Sequence, residues 1–148
     1  MKLMSSALYN STILRLATRI PHHSRLPEPQ GSADKRSPIC GSRVIVDVAL
    51  DEDGRVAAIG QEVRACALGQ ASAALMGEHA IGRTPAELAG ARDALAAFLS
   101  GERSDPGEWP GLEIFEPARP HSARHPSIRL AFEAVAEAAA EASARQNP

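Results

Sequence analysis

Two strand-like segments joined by a tight turn constrain this chain more than any other feature. Residues Ser37 to Met76 read SPICGSRVIVDVALDEDGRVAAIGQEVRACALGQASAALM. Alternating apolar residues predict one strand from about Ser42 to Leu50 and a second from about Arg55 to Arg64. The Asp-Gly pair between them is typical of a hairpin turn. The chain is therefore expected to contain an antiparallel sheet built around this hairpin.

The two cysteines of the chain flank this hairpin. Cys40 precedes the first strand and Cys66 follows the second, so pairing of the strands should bring the two residues towards each other. Cys66 also opens a helical segment, where unpaired backbone N–H groups and the helix dipole favour a thiolate. From the residues alone, the pair is consistent with a disulfide, a metal site or reactive thiols. A buried, inert Cys66 at a strand-to-helix junction is the structural alternative.

Four helices are predicted around the hairpin. The clearest begins at Thr84, where Thr-Pro-Ala-Glu combines an N-cap threonine, a proline at the first helical position and a glutamate at the third. Apolar residues spaced by three or four predict the other helices. The four cover about residues 7–19, 65–80, 84–99 and 126–144.

Two further segments lack a clear period. Residues 22–39 are rich in proline and polar side chains and predict a long connection, in which residues 31–36 could form a third, edge strand. Residues 102–120 hold four large apolar side chains among their prolines and glycines, which indicates a packed loop rather than a linker. The whole pattern predicts a single α+β domain over residues 1–148. Its small antiparallel sheet has three strands, two of them clearly signalled, packed against about four helices.

Composition disfavours several classes of function. The net charge of −2 and the pI near 6.2 argue against a nucleic-acid-binding protein, which would show a basic face. No apolar run reaches the ~18 residues of a membrane span. The first residues lack the apolar core of a secretory signal, so a cytoplasmic location is expected and a disulfide is disfavoured. Phosphate-binding loops, nucleophile elbows, zinc-finger spacings and metalloprotease motifs do not occur.

Five short motifs follow one another in a fixed order. They are an opening helix with Tyr-Asn, Ile-Leu and Ala at 9–17, Pro-x-Cys-Gly at 38–41, the Asp-Gly hairpin, a cysteine 26 positions after the first, and His-x-Ser-Ile at 125–128. In this order and spacing, the chain resembles the iron–sulfur cluster assembly scaffolds of the IscU, SufU and NifU N-terminal type. The long insertion after the second cysteine is more similar to SufU than to IscU.

The resemblance implies a SufE/NifU-like fold and one site that holds zinc or a nascent cluster and accepts sulfur from a cysteine desulfurase. In the family, three cysteines and an aspartate surround this site, with a histidine just before the third cysteine in IscU. Cys40 and Cys66 match the first two cysteines, and His125 matches the histidine. Ser42 stands in the position of the aspartate, and Pro126 in that of the third cysteine.

These two departures reduce the set of metal ligands. A serine hydroxyl stays protonated near neutral pH, and a proline side chain has no ligand atom. Cys40, Cys66 and His125 remain, a three-ligand set that is open at a fourth position and suits a labile metal. His121, in the preceding loop, is an alternative fourth ligand. The expected cofactor is a transient iron–sulfur cluster, iron or zinc, or none at all.

Three functions are consistent with these residues. The first, which we expect, is a scaffold or sulfur acceptor with Cys66 as persulfide acceptor. It would be a carrier rather than an enzyme, although a sulfurtransferase-like role is compatible with it. Its partner would be a cysteine desulfurase of the SufS, IscS or NifS type, with no nucleic acid or membrane, and it would be a monomer or weak dimer. The second is a paralogue without metal that binds or regulates the desulfurase. The third, a redox pair of Cys40 and Cys66, ranks last because the cysteines are not in a Cys-x-x-Cys arrangement.

Overall fold

The computed structural model describes residues 8–38 and 41–146 of the chain. In this part, three strands and four α-helices form the α+β architecture that the sequence predicts. Two 3-10 helices, Leu112–Ala118 and Ser122–Arg124, precede the last α-helix. The main elements are α1 (Ser11–Ala17), β1 (Gly31–Arg36), β2 (Arg43–Leu50), β3 (Val56–Arg64), α2 (Ala67–His79), α3 (Pro85–Ser100) and α4 (His125–Gln146).

The sheet is antiparallel in the order β1-β2-β3, with the predicted hairpin forming β2 and β3. In the turn, Asp51 Oδ1 accepts hydrogen bonds from the backbone N–H groups of Asp53 (2.9 Å) and Arg55 (3.0 Å). Gly54 takes the left-handed conformation that a turn of this kind needs, with φ of 79°. These local interactions explain why the hairpin can be predicted from sequence.

β1 is the strand that hydrophobic periodicity does not show. Its sequence is GSADKR, and two of its small residues, Gly31 and Ala33, are buried. A side chain on Gly31 would collide with the backbone carbonyl of Ala138 in α4. β1 therefore forms at a close approach between sheet and helix, where small residues take the place of an apolar stripe.

α4 covers one face of the sheet and organises the core. It packs across β1 and β2 and also contacts α2 and α3. Val44, Val46 and Val48 of β2 alternate along the strand and have no exposed surface. α2 contacts both α1 and α4, and residues 71–77 within it are buried without interruption. α2, which begins directly after Cys66, is thus packed between α1 and α4.

Residues 21–30 cover the opposite face of the sheet. Asp47 of β2 points to this side and is completely buried. Its carboxylate accepts hydrogen bonds from the Arg25 guanidinium (2.7 and 3.0 Å), the Leu26 N–H (2.9 Å) and the Ser32 hydroxyl (2.7 Å). The irregular segment is thus held on the sheet by a buried carboxylate as well as by backbone hydrogen bonds, such as the one from the Gln61 N–H to the His22 carbonyl (2.8 Å).

Glycine within a strand often marks a bulge, but Gly60 does not. It pairs in register with Asp47, and the irregularity in the hairpin lies instead near Ala57, where pairing shifts between Ala49 and Leu50. A Cβ atom on Gly60 would collide with the carbonyl oxygen of Ser24. Glycine is needed here because the backbone of the covering segment crosses the strand.

The remaining elements follow the sequence closely, with one difference in α1. This helix begins at Ser11 rather than at residue 7, because Asn10 is its N-cap and accepts a hydrogen bond from the Ile13 N–H (3.0 Å). The capping box at Thr84 is present.

Residues 102–120 are packed as predicted, since the buried Trp109 donates from Nε1 to the Leu75 carbonyl (2.9 Å). No helix among the described residues is long and apolar enough to cross a membrane.

Candidate functional site

Cys66 lies where the sequence predicts, at the N-cap of α2. Its backbone is extended (φ −67°, ψ 172°), and its carbonyl accepts the first helical hydrogen bond from the Gln70 N–H at 2.9 Å. The side chain makes no capping hydrogen bond and is partly buried at the edge of the core. Cys66 is a free thiol. Its sulfur is therefore not used for capping. The residue lies at the N-terminal end of α2, where the unpaired N–H groups of the first turn favour an anion.

Cys40 lies outside the described residues, and its role as a ligand stays a prediction. The chain on both sides of it is described. The N–H of Ser37 donates to the Ser42 carbonyl (2.8 Å), and the N–H of Gly41 donates to the Ser37 carbonyl (3.1 Å). Ser37, directly after β1, and Ser42, directly before β2, are therefore hydrogen-bonded neighbours on the two sides of Cys40.

A pair of buried hydroxyl groups connects this segment to α4. Ser42 is 3% exposed and Ser127 is 2% exposed, and their Oγ atoms lie 3.4 Å apart. Ser42 immediately precedes β2, while Ser127 lies in the first turn of α4. Ser42, which follows the Pro-x-Cys-Gly motif, thus meets Ser127 of the His-x-Ser-Ile motif, 85 residues away in the sequence.

The first turn of α2 also reaches the start of α4. A Cβ atom on Gly69 would lie 3.2 Å from the Ser127 carbonyl oxygen and 2.8 Å from the Ala65 Cβ atom. One turn further, the Ser72 hydroxyl donates to the Ile128 carbonyl at 2.6 Å. Small residues permit this approach, so the helix end that begins after Cys66 lies against α4.

His125 presents one nitrogen to its own chain. Its Nε2 atom lies 2.9 Å from the Ala118 carbonyl oxygen and 3.1 Å from the Arg119 carbonyl oxygen. Since carbonyl oxygens only accept, Nε2 carries the proton. In the neutral ring, Nδ1 then has the lone pair that a metal could use.

The charged side chain next to Ser42 in the sequence is already paired. Arg43, which follows Ser42, donates to Asp34 across β1 and β2 at 2.6 and 2.9 Å. The hydrogen bond from Arg43 outweighs burial and lowers the pKa of Asp34 below its usual value. Both side chains are more than 30% exposed, so the pair supplies little stability.

Comparison with solved structures places the fold. The N-terminal part of a NifU-like protein from Brucella abortus, described as nitrogen-fixing, superimposes with a TM-score of 0.89. The two sequences are 37% identical over 95% of this chain and 98% of the other. The chain belongs to the NifU-like N-terminal family.

A protein of Fervidobacterium islandicum AW-1, proposed as an iron–sulfur cluster assembly scaffold for the SUF system, shares this NifU-like fold. Its TM-score is 0.83 at 19% identity, over 91% of this chain and 98% of the other. No family model and no curated protein matches the sequence.

The described part of this NifU-like chain does not by itself assemble a metal site. No group of three histidine, cysteine or acidic residues that could hold a metal occurs among residues 8–38 and 41–146. Cys66 and His125 are brought to the same end of α4, and Cys40 would have to complete a set of three. The half-buried His121 uses its backbone in the turns before α4, with its N–H donating to the Ala118 carbonyl at 2.9 Å.

Ser127 is the residue that sequence reasoning missed in this NifU-like site. The His-x-Ser-Ile motif contains it, but the family comparison draws attention to Pro126, one position earlier. Only the orientation of α4 shows that Ser127 is the residue next to Ser42. The signal in the sequence was the serine of the motif itself, a polar residue in the buried stripe of an otherwise alanine-rich helix.

Proposed function

We propose that this NifU-like chain is a carrier in iron–sulfur cluster assembly that accepts sulfur on Cys66. It would hold iron, zinc or a nascent cluster transiently through Cys40, Cys66 and His125, and it would act in the cytoplasm with a cysteine desulfurase. The main support is the meeting of three separate motifs at one end of α4. The family relationship supports a carrier rather than an enzyme.

The sulfur step needs a nucleophilic thiolate and an accessible sulfur atom. The Cys66 thiolate would attack the outer sulfur of a persulfide on the desulfurase. The sulfur–sulfur bond of the donor breaks, its electron pair stays on the donor cysteine as a thiolate, and a new sulfur–sulfur bond forms at Cys66. The N-terminal N–H groups of α2 would stabilise the attacking anion.

The metal ligands would be two thiolates and one imidazole nitrogen. Metal-binding histidines usually donate one ring N–H to a backbone carbonyl, as His125 does from Nε2, and His125 would bind the metal through Nδ1. The donor atoms suit zinc or iron, but they number three where a closed zinc site has four. Such a set fits cargo that is received and passed on.

Anaerobic purification with elemental analysis, followed by a sulfur-transfer assay, tests this proposal. Wild-type protein should contain iron or zinc, and Cys40→Ala, Cys66→Ala and His125→Ala should each lower the content. With a cysteine desulfurase and cysteine, intact-mass measurement should find added sulfur on the wild type and none on Cys66→Ser. His121→Ala should leave the metal content unchanged. Metal-free protein whose effect on the desulfurase survives both cysteine substitutions contradicts the proposal.

A second function is favoured by the hydroxyl pair of Ser42 and Ser127. Neutral hydroxyls at this position are poor ligands, which fits a paralogue that binds or regulates a desulfurase without carrying metal. Desulfurase binding should then be equal for the wild type and a Cys40→Ser/Cys66→Ser double variant. Loss of binding in the double variant rules out this alternative.

A further inference from the structure

Three arginines form a row across the end of the sheet from which the chain leads to Cys66. In the strand register, Arg43 of β2 pairs with Arg36 of β1 on one side and with Arg64 of β3 on the other. Residues that are directly opposite in antiparallel strands have their side chains on the same face. Arg43 is four residues before Asp47 and shares its face, opposite the face that α4 covers. We call these three residues the arginine row.

A single carboxylate is bonded to the arginine row. Asp34 accepts hydrogen bonds from Arg43 at 2.6 and 2.9 Å and lies 3.9 Å from the Nε atom of Arg36, whose side chain is 67% exposed. Within the part of the chain that the structure describes, the exposed Arg64 forms no hydrogen bond or ion pair. Glu62, on the same face, bonds to none of the three. Like charges directly opposite one another destabilise a sheet, so folding alone does not favour this row.

The stretches of chain around the row contain only positive charges. Pairing of the strands brings the stretches of the sheet together, and the approaches of Ser127 to Ser42 and Gly69 add the start of α4. These stretches are residues 35–38, 41–46, 63–77 and 117–132. They hold seven of the 16 lysines and arginines of the chain and none of its 18 aspartates and glutamates. A chain with a net charge of −2 thus concentrates positive charge around Cys66.

We propose that the arginine row is a docking surface for an acidic face of the protein that delivers sulfur to Cys66. This inference rests on the proposed function and adds the chemistry by which the partner is recognised. Guanidinium groups bind carboxylates through pairs of parallel hydrogen bonds, and a positive surface steers an acidic partner towards it. Because Arg64 is two residues before Cys66, a partner bound at the row lies beside the acceptor residue.

A protein surface fits the arginine row better than a nucleic acid does. The row spans two strand spacings, about 10 Å, which matches a few carboxylates on a folded surface and not a long polyanion. Asp34 lies within the row and would repel a phosphate backbone, whereas a protein can place a hydrogen-bond donor opposite it.

Charge reversal separates docking from folding. Arg36→Glu/Arg64→Glu gives Arg43 an opposite charge on each side, so the variant should unfold at nearly the wild-type temperature. Arg92→Glu/Arg145→Glu is the matched control, because it makes the same change in charge at two exposed arginines in α3 and at the far end of α4. Arg64→Gln, which adds no acid, keeps the test open if the double variant does not fold.

The experiment measures sulfur transfer from a cysteine desulfurase to Cys66 at varied acceptor and salt concentrations. Reversal of Arg36 and Arg64 should raise the KM for the acceptor at least about tenfold at low salt and leave kcat nearly unchanged. Added sodium chloride should remove most of this difference, and the control variant should stay within about twofold of the wild type. Arg64→Gln should raise KM by a smaller factor. An unchanged KM in the folded variants, or a loss in kcat alone, overturns the inference.

Binding of a fluorescent polyglutamate peptide tests the surface independently of sulfur transfer. At low salt, fluorescence anisotropy should show binding to the wild type and its loss on reversal of Arg36 and Arg64. If the peptide behaves in this way while Cys66 takes no sulfur, the docking surface stands and the sulfur-acceptor function fails. If Cys66 accepts sulfur equally well with and without the arginines, only this inference fails. Tighter binding of a single-stranded DNA of equal charge would assign the row to nucleic acid and overturn the protein partner.

Discussion

The Arg25 guanidinium forms a two-point ion pair with the carboxylate of Asp47, through Nε at 2.7 Å and Nη2 at 3.0 Å. Asp47 is fully buried, while the side chain of Arg25 is 45% exposed. The pair joins the irregular segment after α1 to the central strand of the sheet. Because the Leu26 N–H and the Ser32 hydroxyl donate to the same carboxylate, one side chain orders residues from two separate parts of the chain.

Asp47→Asn should destabilise the fold substantially. The amide offers one acceptor oxygen in place of two and turns its N–H groups towards donors, so we expect a loss of roughly 2–4 kcal/mol in the free energy of unfolding. Urea unfolding followed by circular dichroism measures it. Asp93→Asn, in the exposed pair with Arg92, should change stability by less than ~0.5 kcal/mol. Equal changes in the free energy of unfolding for the two substitutions would show that the buried pair contributes no more to stability than the exposed one.

The contribution of Asp47 should depend on pH in a defined direction. Burial alone would raise its pKa, but the hydrogen bonds from Arg25, Ser32 and Leu26 outweigh burial and lower the pKa below the ordinary 3.8. A carboxyl group with a lowered folded-state pKa stabilises the fold above its ordinary value and loses this contribution as the pH falls through 3.8 towards the folded-state value. The stability gap between wild type and Asp47→Asn should therefore narrow below that pH. A gap that stays constant from neutral pH into the acid range contradicts this assignment.

Gly60→Ala tests the close passage of the covering segment over β3. The new methyl group would collide with the Ser24 carbonyl and lie 2.9 Å from the Leu26 nitrogen. Backbone atoms cannot move aside cheaply, so a loss of roughly 2–3 kcal/mol is expected. Gly90→Ala is the control, because nothing lies within 4 Å of the added atom in α3. That substitution should instead stabilise the protein by about 0.5–1 kcal/mol through helix propensity.

Trp109 should anchor residues 102–120 to the helical layer. Its ring meets Phe132 edge to face at 5.2 Å between centroids, and the Arg83 guanidinium lies 4.9 Å from the ring centroid. Trp109→Ala should cost about 3–5 kcal/mol. Trp109→Phe keeps much of the packing and loses the hydrogen bond to Leu75, so about 1–2 kcal/mol is expected. Limited proteolysis within residues 102–120 should accelerate in the alanine variant; unchanged cleavage would mean that the segment is held by other contacts.

The parts of the fold that sequence could predict are those that local chemistry determines. The turn at Asp51 and the capping box at Thr84 each satisfy their own backbone groups within a few residues, so their residue types identify them. β1 differs, because glycine is required at position 31 by the close approach of the α4 backbone, and no pattern within the strand indicates this. Asp47 shows the same limit, since its partners lie 15 to 22 residues away, in β1 and in the irregular segment before it.

The residues of the candidate site also differ in whether local sequence could place them. Cys66 could be placed at the start of a helix because strand and helix patterns meet there. Ser127 could not be distinguished from Pro126, because which of two adjacent residues faces a neighbouring strand depends on the rotation of α4 about its axis. That rotation is set by packing at Gly69 and Ser72, which no local pattern reports.

The two hydrogen bonds of His125 connect the segment before α4 to the proposed metal site, so its mobility would depend on whether a cation is bound. A cation taken at Nδ1 withdraws electron density from the ring, which makes the Nε2–H a stronger donor to the carbonyls of Ala118 and Arg119. Under the proposed function, residues 112–124 would then be held more firmly when cargo is present than when it is absent. Amide hydrogen exchange in this stretch should slow on loading, so that a partner protein could distinguish the full carrier from the empty one by the stiffness of its surface.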